Sequence, residues 1–98
     1  MERDIEMLDY VMMALGELRA ERRHRKEEEN DVTVDLFSGY NMRWHPGNTL
    51  DIYFGTLQLG TLRLNTFNVH GRYVAMAILG IVVGHMKLMA YLKSGKED

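Results

Sequence analysis

Cysteine is missing from the 98-residue chain, which removes disulfide frameworks, thiolate nucleophiles and cysteine-held metals in one step. Serine occurs only as Ser38 and Ser94, each followed by glycine, and neither stands in a nucleophile signature. The four histidines, His24, His45, His70 and His85, include no i, i+4 pair with an adjacent acid, so the order of residues contains no metal motif. Gly71, Gly80 and Gly84 lie within or at the start of a helical pattern and make no phosphate-cradling loop. Charge of one sign is also lacking. The 12 basic and 14 acidic side chains leave a formal −2, the mark of neither a nucleic-acid binder nor an acidic mimic of nucleic acid. Catalytic, metal and cofactor chemistry therefore find no support, and the expectation is a protein that is not an enzyme. Met1 to Glu6 is acidic and lacks the basic start and apolar run of a signal peptide, which with the absent cysteine suits a cytoplasmic protein.

The most telling feature present is itself an absence of charge. From Tyr73 to Gly84 every residue is apolar, glycine or tyrosine. A surface helix shows an apolar stripe roughly 100° wide, so a helix apolar all round needs cover on more than one side. A sheet on one side and another helix on the other, from the same chain or a second copy, meets that need. Val74 to Leu92 has about the ~20-residue length of a membrane span, but His85 and Lys87 interrupt it and glycines thin it. A buried helix in a soluble domain, with no membrane partner, is the expectation.

The rest of the chain reads as one domain over residues 1–98. Residues 4–29 form a helical pattern in which Ile5, Leu8, Met12 and Leu15 recur three and four apart, with Met7, Val11 and Leu18 widening the stripe. The period then changes from helical to alternating. Val32, Val34 and Leu36 alternate with polar residues, Ser38-Gly39 offers a turn, and Tyr40, Met42 and Trp44 alternate again. Pro46-Gly47 suits a type II turn and Gly55-Thr56 a two-residue hairpin, framing a strand with Leu50, Ile52 and Phe54 inward. Leu57 and Leu59 are odd-numbered and Leu62 and Leu64 even, so a bulge at Gly60-Thr61 is needed to return the later pair to the core. A last helix is expected over 69–93, stopped by Ser94-Gly95. The fold class is α+β: a helix, an antiparallel three- to four-stranded meander over 32–64, and a long apolar helix. That order resembles a double-stranded-RNA-binding domain, but His70, Gly71 and Arg72 supply one firm charge where such a domain needs several, so the family is not assigned.

Three surfaces are candidates for function. Ala77, Gly80 and Gly84, flanked by Tyr73 and Tyr91, form a small-residue row suited to a helix–helix homodimer seam; close packing on the chain's own sheet is the competing explanation. Phe37, Arg43, Tyr53 and Arg63 fall on the non-core face of the hairpins, where aromatics and arginine suit a protein partner. Arg19, Arg22, Arg23 and Lys26 could meet phosphates, yet residues 19–29 hold five basic and four acidic side chains at helix-pair spacing, so a self-paired surface is favoured. His45 is assigned to a turn, His85 to a hydrogen-bonded core or interface position, and Asp35 and Asp51 to the solvated sheet face. The favoured function is a small non-enzymatic binding or regulatory protein, such as the single-domain inhibitors phages direct at host machinery, working as a homodimer on a macromolecular surface. The alternatives are a nucleic-acid module using the basic half of the first helix, and a small-molecule binder with a pocket between sheet and helices near His70 and His85.

Overall fold

Three tight turns fold the middle of the chain into a meander. The computed structural model describes residues 2–24, 31–64 and 71–95, with side chains over 6–21, 31–64 and 71–95. Strands β1 (Val32–Asp35), β2 (Tyr40–His45), β3 (Thr49–Phe54) and β4 (Leu57–Arg63) pair antiparallel in the order β1-β2-β3-β4. Ser38 (φ 55°) and Gly39 (φ 88°) both take positive φ, which a two-residue turn between β1 and β2 requires if it is to follow the sheet twist. The Gly55 N–H donates to the Gly39 carbonyl at 2.9 Å, tying that turn to the β3–β4 turn beside it. At the opposite end the Leu64 N–H bonds the Asn48 carbonyl at 2.8 Å.

Register puts the apolar residues of all four strands on one face. Val32 lies opposite Trp44, Met42 opposite Ile52, Trp44 opposite Leu50, and Leu50 opposite Leu62. The bulge is real but sits one residue earlier than expected: pairing moves from Ile52–Gly60 to Tyr53–Gln58, leaving Leu59 as the extra residue. Leu64 thereby reaches the core, while Leu57 stays exposed. Gly60 has a packing role as well, because a Cβ there would lie 3.0 Å from the Ile81 side chain on the covering helix.

Two helices cover this inner face. Helix α1 (Glu2–His24) buries Val11, Ala14, Leu15 and Leu18, and α2 (Arg72–Lys93) buries Val74, Ala75, Ile78 and Val82, all in one cluster with the strand residues. Leu18, Met42, Leu50, Ile52 and Ile78 are among the largest fully buried side chains, and each such burial is worth about 1.5–3 kcal/mol. Three expectations need correction. The buried stripe of α1 runs through Val11 and Ala14, and Met12 is turned outward. Strand β1 stops at Asp35, because the turn begins before Phe37. Phe37 consequently leaves the outer sheet face and packs beside α1, its ring 5.4 Å from that of Tyr10. The expected helix limits at 29 and 69 fall in 25–30 and 65–70, outside the described residues.

Candidate functional site

Neither described helix lies over the outer face of the sheet, yet Asp51 at its centre is only 7% exposed. Alternation alone places it there, since Leu50 and Ile52 on either side point into the core. Its burial comes from neighbouring side chains. Thr61 on β4 donates its hydroxyl to Asp51 Oδ1 at 2.8 Å, and Gln58 in turn donates to Thr61 Oγ1 at 2.7 Å. The Tyr53 hydroxyl reaches Asp51 Oδ2 at 3.4 Å, and His45 Nε2 lies 2.6 Å from the same oxygen. His45 then turns its second nitrogen to Asp31, with Nδ1 2.9 Å from Oδ1.

A protonated histidine between two carboxylates donates from both nitrogens, and an ionised carboxylate only accepts. His45 thus bridges the entry to β1, the end of β2 and the middle of β3, and its protonated form satisfies both carboxylates. Burial works to lower its pKa, but the hydrogen bonds and negative charges of Asp31 and Asp51 outweigh burial and raise it. For Asp51 burial works upward, and the bonds from Thr61 and His45, the His45 charge and the Tyr53 hydroxyl outweigh it and lower the pKa. Arg43, opposite Asp51 in the β2–β3 register, lays its guanidinium 4.7 Å from the Tyr53 ring centroid. Its Nε is buried without a hydrogen-bond partner. The residues form a braced polar platform in which both nitrogens of His45 are engaged by carboxylates. Among the described residues no group of three acids and histidines could hold a metal ion.

Of the residues singled out for a protein partner, Arg43 and Tyr53 meet on this platform and Arg63 is exposed on β4, whereas Phe37 does not join them. The small-residue row lies elsewhere, on the side of α2 turned away from the sheet. Tyr73 is 83% exposed, Ala77, Gly80, Gly84 and Tyr91 are exposed too, and among the described residues nothing outside the helix's own backbone lies within 4 Å of where a Cβ would stand on Gly80 or Gly84. Among the described residues, the chain's own sheet does not pack against that row. Arg19 is half-buried on α1; the side chains of Arg22 and Arg23, and Lys26 entirely, lie outside the described residues.

Compared with known proteins, the chain matches no family model, no curated protein and no solved structure. The geometry alone must carry the functional reading.

Two residues were not singled out from sequence for what they do here. His45 and Asp51 read as a turn histidine and a solvated acid, but extending the β1–β2 register by one residue sets Asp31 opposite His45, and the Pro46-Gly47 turn brings Asp51 diagonally beside it. His85 follows its expectation: half-buried, it shares a 2.7 Å hydrogen bond between Nδ1 and the Tyr40 hydroxyl, and its ring lies 4.9 Å from Phe54. His70 lies outside the described residues.

Proposed function

We propose that the protein is a small non-enzymatic binding or regulatory protein that works as a homodimer through α2 and presents its outer sheet face to a macromolecular partner. The observation that carries this reading is the uncovered apolar side of α2. Over an 18-residue window the helix has a mean hydropathy of 1.7, apolar enough to cross a membrane, yet only 22% of that window is buried within the chain. Exposed apolar surface on this scale marks an interaction site.

The order of residues on that side favours a second copy. Counting outward from Val82, Gly80 and Gly84 stand two residues away on either side, Met76 and Leu88 six, and Tyr73 and Tyr91 nine. At 100° per residue all six share one side of the helix. A two-fold axis at this level sets each residue of one copy against its counterpart in the other, as a self-complementary interface requires. Glycines at the crossing let the backbones approach, and tyrosines close both ends. A bilayer offers no reason for that symmetry, and the opposite side of α2 is committed to the shared core through Val74, Ala75, Ile78 and Val82.

Light scattering over a range of concentrations and two salt levels tests the reading. The expected result is about twice 11.4 kDa at both salt levels. Gly84→Leu should yield a folded monomer, because its side chain enters open space in the single chain but the crossing point in the pair. A wild-type monomer at every concentration overturns the proposal.

A further inference from the structure

The side of α2 opposite the glycines borders a groove that the dimer leaves open. It lies between the last two turns of the helix and the ends of β2 and β3, with a volume of about 580 Å³, inside the ~300–1,000 Å³ range of small-molecule sites. Tyr40 and Phe54, their rings 4.8 Å apart, form the floor, and Met86, Met89 and Leu92 form the wall. The Tyr40 hydroxyl is already bonded to His85, so the floor is closed in its hydrogen bonding and presents apolar surface. Methionine walls adapt to the shape of an apolar guest.

Polarity enters at the rim. Ser38 stands there on the two-residue turn, held at a φ of 55° that side chains rarely adopt, and Lys93 supplies the single charge among the described lining residues. A second groove on the other flank of the helix end shares Ser38, Met86 and Ala90, and it too has a lysine, Lys87, and no acid among its described lining. Apolar walls with cations and hydroxyl at the rim and no carboxylate among the described lining residues suit a ligand of one kind: an apolar chain or ring that ends in an anion.

We infer that the groove between Tyr40, Phe54 and the Met86–Lys93 end of α2 binds an amphiphilic carboxylate, with the apolar body against the aromatic floor and the carboxylate between Lys93 and Ser38. The site stands apart from the dimer seam. Met86, Met89 and Lys93 project from the side of the helix opposite Gly80 and Gly84, so one can fail without the other.

Calorimetric titration of the full chain with dodecanoate and with dodecyltrimethylammonium, both below their micelle concentrations, tests the inference. Dodecanoate should bind once per chain and about fivefold more tightly than the cation, the scale of one exposed ion pair gained or lost. Lys93→Glu should reverse the preference. Ala90→Trp, at an exposed helix position, should abolish binding with the circular dichroism and melting temperature unchanged. Gly84→Leu, whether or not it dissociates a dimer, should leave dodecanoate binding as it was. No dodecanoate binding, equal binding of the two head groups, several equivalents per chain, binding that survives Ala90→Trp, or binding lost with Gly84→Leu each overturns the inference.

Discussion

The two faces of the sheet are held in different ways. On the inner face Met42, Leu50 and Ile52 are fully buried under two helices, and what holds them is area and close packing. On the outer face Asp51 is almost as inaccessible with neither described helix above it, and what holds it is a set of directed bonds from His45, Thr61 and Tyr53. Burial therefore does not require a covering layer: on a pleated surface, neighbours two residues and one strand away are close enough to enclose a short side chain. A packed face tolerates changes in pH but not in volume. A bonded face should behave the opposite way.

The largest expected effect tests the packed face. Ile78→Ala empties a fully buried position on α2 and should cost about 2–5 kcal/mol in urea unfolding. A loss under about 1 kcal/mol would mean that the helices cover the sheet without holding it. On the bonded face His45→Ala leaves the Asp51 carboxylate enclosed without its cation, an expected loss of about 2 kcal/mol near pH 6, reduced from the fully buried case because His45 is partly in water.

The pH dependence sharpens the contrast. His45 has a folded pKa above 6.5, so its contribution is full below pH 6.5 and disappears as pH rises through the raised value. Asp51 has a folded pKa below 3.8, so its contribution is full above pH 3.8 and disappears as pH falls through the lowered value. The brace is strongest between those limits. Melting curves of wild type and His45→Gln should differ most at mildly acidic pH and converge in alkali; a constant gap would show that His45 does not act through its charge. Thr61→Val keeps the shape and removes one hydroxyl bond to Asp51, and should cost about 1 kcal/mol.

How far the sequence revealed these arrangements differs by face. Alternation and the turn residues Ser38-Gly39, Pro46-Gly47 and Gly55-Thr56 were enough to place β2 and β3 and their inward residues, because a period of two and a positive φ are local properties, whereas Leu57 on β4, expected inward, is exposed. The bulge was legible from the change of parity between Leu59 and Leu62, though not its position, since either neighbour can absorb the extra residue. Phe37 was misplaced because alternation was carried past the end of β1 into the turn. The outer platform was missed because each member, taken alone, is ordinary: a histidine before a proline, an acid on a strand.

The residues by themselves determined the order of elements, the inward face of the meander and the presence of one helix with too much apolar surface for its own chain, since all three follow from local conformation and composition. Only the tertiary structure decided which side of α2 meets the sheet. A helix without a polar face has no amphipathic signal to orient it, so the choice fell to the shape of the sheet, including the space that Gly60 leaves for Ile81. The upward pull on the His45 pKa was likewise decided in space, because it comes from two carboxylates that the chain brings together from fourteen residues upstream and six downstream.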